Sequence, residues 1–74
     1  MTPREGEIWK HYKGTEYDIL HIAEMQTAHE PYDMKECVVY KAKTDGRVWV
    51  RPLLEFIETV NVRGFEEPRF MKVS

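Results

Sequence analysis

The chain has 74 residues, a length that allows one small domain and excludes a Rossmann domain, a TIM barrel or a solenoid of several repeats. Hydrophobic residues make up 42% and charged residues 32% of the sequence, which is typical of a globular domain rather than a disordered segment. Eleven basic and thirteen acidic side chains give a net charge of −2, and this balance disfavours binding to duplex DNA through phosphate contacts.

The first third of the chain predicts a β-hairpin. Residues 7–13 alternate polar side chains with apolar and aromatic ones, a pattern that is typical of a strand. Gly14 and Thr15 favour a turn, and residues 17–24 repeat the strand pattern. These two segments are therefore expected to pair as neighbours in a sheet.

The middle of the chain predicts a loop followed by a second hairpin. Residues 25–35 are polar and form the loop, whose role the sequence leaves open. Residues 36–43 have the strongest strand propensity in the chain. Asp45-Gly46 then favours a type I′ turn, because that turn needs positive φ at both central positions, and a strand over residues 48–50 follows.

The last third predicts one helical turn and one more strand. Pro52 ends the preceding strand and suits the first turn of a helix, and apolar residues at helical spacing continue to Ile57. Residues 59–63 form a short strand, and residues 65–74 are a tail without a clear period. The predicted fold is all-β, a small SH3-like barrel of about five strands with one helical turn before the last strand. It is a single domain over residues 1–74, with its core in residues 6–64.

Four short sequence words carry a family resemblance: HYKG at residues 11–14, VVY at 38–40, WVRP at 49–52 and PRF at 68–70. This pattern resembles the bacterial and phage family known as domain of unknown function 1653 (DUF1653), over residues 6–70. The resemblance implies a small stand-alone cytoplasmic domain and implies no reaction. Residues 25–35 depart from the pattern, being longer and more acidic, so nothing the family does with that loop is carried over here.

Strand parity groups a set of aromatic and basic side chains, since alternate residues of a strand share a face. If Ile8, Val48 and Val50 face the core, the opposite face displays Trp9, His11, Lys13, Arg47, Trp49 and Arg51. Such a face could stack on bases, grip carboxylates or phosphates, or anchor a peptide. The alternative is that both tryptophans fill the core and the arginines pair with acidic neighbours.

Two further residues, Tyr40 and Arg69, belong to this hypothesis at its margin. Tyr40 borders the face if the register allows, and Arg51 could reach an anionic ligand from the end of its strand. Arg69 is a weaker ligand-binding candidate, because Arg69 and Phe70 could instead fasten the tail to the barrel. The candidate ligand-binding residues are therefore Trp9, His11, Lys13, Trp49, Arg51, Tyr40 and Arg69.

An enzyme is not expected. Cys37 is the chain's one cysteine, so an intrachain disulfide is excluded. Together with His11, His21 or His29, Cys37 could form a nucleophile and base. Its place before two valines favours instead a small buried side chain. No histidine pair has a recognised metal-ligand spacing, and no phosphate-loop, GxSxG, HExxH or dinucleotide motif is present. No catalytic residue, metal or cofactor is assigned.

The sequence thus predicts a non-catalytic binding module for a peptide or a partner protein. Binding of single-stranded nucleic acid or of a nucleotide is the main alternative, and a small thiol or hydrolytic enzyme is the third. A free edge strand could pair two copies into a homodimer, which the sequence leaves open. The start of the chain has no signal-peptide pattern and no segment is apolar enough to cross a membrane, so a cytoplasmic location without a membrane partner is expected.

Overall fold

Short strands separated by tight turns fill most of the chain in the computed structural model, which describes residues 2–74 without the side chain of Tyr32. One turn of α-helix and one turn of 3-10 helix (Glu30–Tyr32) complete the described secondary structure. The elements are β1 (Ile8–His11), β2 (Glu16–Glu24), β3 (Glu36–Ala42), β4 (Val48–Pro52), α1 (Leu53–Phe56), β5 (Thr59–Val62), β6 (Phe65–Pro68) and β7 (Phe70–Lys72). Across residues 2–74, none of the helices has the length and apolar character needed to span a bilayer.

The strands form two antiparallel sheets. Five of them pair in the order β4-β3-β2-β1-β7, while β5 and β6 pair with each other. The predicted all-β class is confirmed, as is the helical turn before β5. Across residues 2–74 the sheet is not closed into the expected barrel, because its edge strands β4 and β7 do not pair with each other.

The residues expected to be a tail contain the last two strands. β7 pairs antiparallel with β1 and places Phe70 opposite His11. β6 returns along β5 through a two-residue turn at Arg63 and Gly64, whose φ angles are 52° and 85°. Positive φ at both positions is the signature of a type I′ turn. The type I′ turn that was predicted at Asp45-Gly46 therefore occurs at Arg63-Gly64.

The second hairpin is present, but its turn differs from the prediction. The connection between β3 and β4 runs over residues 43–47, and the Gly46 N–H donates to the Ala42 carbonyl at 2.9 Å. Gly46 has a φ of 72°, whereas Asp45 is not in the left-handed region. The Asp45 carboxylate accepts a bond from the Arg47 N–H at 2.9 Å, which stabilises the longer turn.

The core lies on one face of the large sheet, under the helical turn. Its buried cluster consists of Trp9, Ile19, Val38, Tyr40, Phe56 and Phe70. The Phe56 ring from α1 stacks on Phe70 with centroids 3.9 Å apart, and Trp9 meets Phe56 edge-on at 5.6 Å. Aromatic rings bury large apolar areas, so a few of them supply most of the core of so short a chain.

The prediction that Val48 and Val50 lie on the core side of β4 is wrong. Val48 and Val50 are 51% and 56% exposed. Trp49 instead pairs with Tyr40, and Arg51 pairs with Val38, so both share the face of the buried residues. Valine propensity predicted the strand correctly, but it could not decide which face of the strand the helical turn covers.

Candidate functional site

A pocket of about 180 Å³ opens beside the core on the face shared by β1, β2, β3, β4 and β7. We call it the aromatic pocket, and its lining is His11, Tyr17, Tyr40, Trp49, Arg51 and Phe70. Strand register builds it, since His11 lies opposite Phe70 and Trp49 lies opposite Tyr40. Cross-strand partners lie within about 5.5 Å of each other, which brings these residues together.

The floor of the aromatic pocket is a set of three edge-on rings. Tyr17 lies 5.1 Å from Tyr40 and 5.8 Å from Phe70, and Tyr40 lies 5.6 Å from Phe70, all between ring centroids. Tyr40 and Phe70 are buried, 4% and 3% exposed, and belong to the core cluster. The floor is therefore held in place by the same packing that stabilises the fold.

Arg51 supplies the one charged group of the lining. Its Nε donates to the Tyr40 hydroxyl at 3.2 Å, and its guanidinium carbon lies 5.9 Å from the Phe70 ring centroid. Glu55 is the nearby acid, with 3.8 Å between Arg51 Nη1 and Glu55 Oε1. A guanidinium has five N–H donors. Within residues 2–74, Arg51 uses one of them, in the hydrogen bond to Tyr40. Arg51 therefore keeps capacity for a carboxylate or another planar acceptor.

His11 is another residue of the lining, contributed by β1. Its ring lies edge-on to Phe70 at 5.0 Å, and its Nδ1 accepts a hydrogen bond from the Lys13 backbone N–H at 3.1 Å. Burial lowers the pKa of His11 from its ordinary 6.5, and the positive charges of Arg51, Lys13 and Arg69 lower it further. Because Nδ1 accepts, the ring proton of the neutral form is on Nε2. Burial and the three neighbouring cations thus favour the neutral form of His11, whose Nε2 proton is a possible hydrogen-bond donor.

Trp49 forms the open rim of the pocket. Its side chain is 44% exposed, and the Arg47 guanidinium lies 5.4 Å from its ring. An exposed indole beside a guanidinium can stack on a planar group or cover an apolar side chain.

A family model described as a protein of unknown function, DUF1653, matches residues 7–72. The chain belongs to this family. The range runs from just before β1 to the end of β7 and includes every residue of the aromatic pocket. The resemblance seen in the sequence words is confirmed.

A solved member of the DUF1653 family has the same fold. The chain is similar to the crystal structure of a DUF1653 protein from Bordetella bronchiseptica, with a TM-score of 0.77 and 28% sequence identity. The similarity covers 96% of this chain and 87% of that one. No curated protein matches the sequence.

The structure brings together four of the seven predicted site residues of this DUF1653 chain. His11, Tyr40, Trp49 and Arg51 all line the aromatic pocket. Strand parity grouped His11 with Trp49 and Arg51 because alternate residues share a face. That face is the partly covered core side of the sheet, and the pocket is the part of it that α1 leaves open.

Trp9 does not lie on a displayed face. Its side chain is 3% exposed, and its indole N–H donates to Glu7 Oε1 at 2.9 Å. The expectation that Ile8 faces the core and Trp9 faces outward is wrong, because Phe56 packs onto the Trp9 side of β1.

Lys13 and Arg69 lie outside the pocket lining. Lys13 is exposed on the turn after β1, with its ammonium 5.8 Å from the Tyr12 ring. Arg69 donates to the Glu55 carbonyl at 3.1 Å and to Glu58 Oε1 at 2.6 Å. It thereby fastens the start of β7 to the helical turn and the residues after it. Both cations still act on the pocket through their positive charge on His11.

Two pocket residues were not among the predicted site residues. Tyr17 shares strand parity with the buried Ile19 and lies opposite Trp9, so a parity argument applied to β2 could have found it. Phe70 was expected only to fasten the tail to the barrel. No local pattern places it in the pocket, because it is brought there by pairing with a strand about sixty residues earlier.

Cys37 and His21, which were considered for thiol or metal chemistry, lie in different surroundings. Cys37 is buried, 2% exposed, and its sulfur lies 3.7 Å from the Lys35 carbonyl oxygen. His21 is exposed, 3.9 Å from Glu5 Oε2. Within the described chain, no three His, Cys, Asp or Glu side chains are grouped closely enough to hold a metal ion.

Proposed function

We propose that this DUF1653 domain is a non-catalytic binding module that holds a peptide segment of a partner protein at the aromatic pocket. The observation that carries the proposal is the lining itself, in which five aromatic side chains from five strands surround one arginine. Tyrosine, tryptophan and arginine are the residue types that contribute most to protein recognition.

The size and charge of the pocket support a peptide ligand. Its volume of about 180 Å³ suits one side chain or a terminal group rather than a whole cofactor, for which pockets of roughly 300–1,000 Å³ are usual. Positive charge around His11 favours an acidic or polar group at that point. A net charge of −2 argues against a binding mode that depends on many phosphate contacts.

The chemistry of the lining supports a role without catalysis. The six lining residues include no serine, threonine, cysteine, lysine, aspartate or glutamate, and the Tyr40 hydroxyl already accepts a hydrogen bond from Arg51. His11 is poorly placed to act as a general base, because its Nδ1 lone pair already accepts a hydrogen bond from the Lys13 N–H and the proton of the neutral ring is on Nε2.

The proposal is tested by an amide proton–nitrogen NMR titration of the labelled protein. A peptide pool is added first, then short mixed single-stranded RNA and DNA, then a nucleotide mixture. We expect the peptides to shift the signals of His11, Tyr40, Trp49 and Arg51. Trp49→Ala should abolish those shifts, whereas Phe65→Ala, which removes a 73% exposed aromatic from β6, should leave them unchanged.

Two results would contradict the proposal. Absence of pocket shifts with every peptide would remove the aromatic pocket as a peptide site. Binding of the nucleic acids instead, with affinity that falls steeply as salt is added, would assign the exposed Trp49 ring and the neighbouring Arg47 to base stacking and phosphate contact.

A further inference from the structure

The aromatic pocket adjoins a free sheet edge, because β4 is the outermost strand beside β3. The Ala42 N–H donates to the Arg47 carbonyl, and the register continues through Tyr40 opposite Trp49. In an antiparallel pair, hydrogen-bonded residues alternate with non-bonded ones. The backbone groups of Trp49 therefore point towards β3, and those of Val48 and Val50 point outward from the sheet.

The protection of this edge is confined to the end of β4, where Arg51 points to the pocket face and Pro52 follows it. Edge strands are commonly shielded by inward charges, by prolines within the strand or by bulges that twist the edge away. The β3-β4 pairing has no register shift, and Pro52 is the last residue of β4. Val48 and Val50 add two exposed apolar side chains on the face opposite the pocket. The edge is thus suited to receive another strand.

Positive charge is concentrated next to the edge in a protein that is acidic overall. Residues 37–51 contain one carboxylate, Asp45, and four cations, which are Lys41, Lys43, Arg47 and Arg51. Lys43 is paired with Asp18 at 3.0 Å, and Asp45 is bonded to the Arg47 N–H. Arg51 lies on the same face of β4 as Trp49 and lines the pocket, and the guanidinium of Arg47, the residue before β4, lies 5.4 Å from the Trp49 ring centroid.

A strand added to β4 would present its side chains in a fixed alternation. Residues opposite Trp49 and Arg51 would point to the pocket face, and those opposite Val48 and Val50 to the other face. Acidic side chains therefore match the first set of positions, and apolar side chains match the second. Main-chain bonds give affinity in this mode, and the alternate side chains give specificity.

We propose that the β4 edge binds an extended acidic peptide as a sixth strand of the sheet. Alternate carboxylates of the peptide meet Arg47 and Arg51 at the aromatic pocket, and the intervening apolar side chains pack on Val48 and Val50. This inference rests on the proposed function and specifies both the ligand and its conformation.

The first test uses a blocked seven-residue peptide in which glutamate and valine alternate. NMR titration should show shifts along β4 and in the aromatic pocket, and replacing every glutamate with lysine should weaken binding by more than about tenfold. N-methylation of the valines should abolish binding of an antiparallel strand, and N-methylation of the glutamates should abolish binding of a parallel one. In either case the other methylated peptide should still bind.

The second test changes the protein. Val50→Pro removes an outward N–H donor but leaves the bonds to β3, and we expect it to weaken binding of the glutamate-valine peptide by about tenfold. Val50→Thr keeps the N–H and should bind within about threefold of the unmodified protein. Thermal melting of both variants shows whether the fold is kept. If Val50→Pro unfolds, the methylated peptides still test strand addition on the unmodified protein.

The outcomes separate the two proposals. Pocket shifts with equal binding of both methylated peptides would overturn strand addition and leave the proposed function intact. Absence of pocket shifts with any peptide would overturn both. Signals of Val48 and Val50 that change with protein concentration, without peptide, would assign the edge to a second copy of this chain and overturn the peptide as its occupant.

Discussion

The two tryptophans lie on the same face of the same sheet, and their surroundings differ completely. Trp9 is 3% exposed, whereas Trp49 is 44% exposed. β1 has a strand on each side and Phe56 packed over it, while β4 has one neighbour and an open edge. Position in the strand order, and not residue type or strand face, decides which tryptophan stabilises the fold and which remains accessible to a ligand.

Each indole also has a polar neighbour that matches its position. The Trp9 N–H donates to Glu7, which in turn lies 3.2 Å from the Lys72 ammonium. This arrangement satisfies a donor that would otherwise be unpaired in a buried place. Trp49 instead has the Arg47 guanidinium near its ring, a contact that leaves much of the indole open to solvent.

The strongest test of this contrast is Trp9→Ala. Removing a buried tryptophan costs about 3–5 kcal/mol of unfolding free energy. At roughly 0.05–0.15 kcal/mol per residue, a chain of this length has about 4–11 kcal/mol in total. We expect a largely unfolded or barely stable protein, measured by urea unfolding with far-ultraviolet circular dichroism. A variant whose unfolding free energy stays within about 1 kcal/mol of the parent would contradict a core role.

Trp49→Ala is the matched change on the open side. Because the side chain is already half exposed, we expect the free energy of unfolding to fall by less than about 1 kcal/mol. The same urea experiment measures it. If Trp49→Ala destabilises the protein as much as Trp9→Ala does, the two regions are equivalent and the open rim is not a binding surface.

Glu7→Gln tests the polar partner of the buried indole. The hydrogen bond from Trp9 holds the pKa of Glu7 below its ordinary 4.5, aided by the Arg4 N–H and by Lys72. A lowered carboxyl pKa stabilises the folded state above about pH 4.5, and this contribution is lost as the pH falls through the lowered value. Unfolding free energy measured from pH 6 to pH 2 should therefore fall less steeply in Glu7→Gln. An unchanged slope would show that Glu7 does not contribute.

The smallest expected effect concerns the charge of the open pocket. Arg51→Gln should raise the pKa of His11 towards 6.5, because one of the cations that lower it is removed. Proton–carbon NMR of the histidine rings measures this midpoint. Arg63→Gln, which removes a cation from the distant β5-β6 turn, should leave the pKa of His11 unchanged.

The same shift has a consequence for stability. The unfolded chain binds a proton at His11 near pH 6.5, and the folded chain does so only at lower pH, so stability falls as the pH drops below about 6.5. Arg51→Gln should reduce this loss. A His11 midpoint that is the same in the parent and in Arg51→Gln would show that the pocket is less electropositive than its geometry indicates.

Local patterns predicted most of the strands. Residues 36–43 and 17–24 were assigned from propensity and alternation, and the observed strands differ from them by one residue at one end each. The helical turn after Pro52 also follows from apolar spacing, and α1 begins at Leu53. These features depend on neighbours in sequence, which a single chain displays directly.

Features that depend on packing between elements, on a side-chain bond within a turn or on distant strand pairing could not be predicted. Parity correctly grouped His11 with Arg51, but which face is covered depends on where α1 packs. The turn type at Asp45-Gly46 was wrong because a five-residue connection with an Asp45 side-chain bond was favoured over the two-residue form. Sheet closure was wrong because β5 and β6 pair with each other instead of joining the edges.

The pairing of β7 with β1 also sets the order in which this chain can fold. β2, β3 and β4 follow one another closely, so they can form from contacts between near neighbours. Phe70 reaches the core only when a loop of about sixty residues closes onto β1, a step that loop-closure entropy opposes. During synthesis, a nascent chain that has emerged only as far as β6 lacks Phe70, one of the three rings that form the floor of the aromatic pocket. The aromatic pocket is therefore complete only after β7 has been synthesised and has paired with β1.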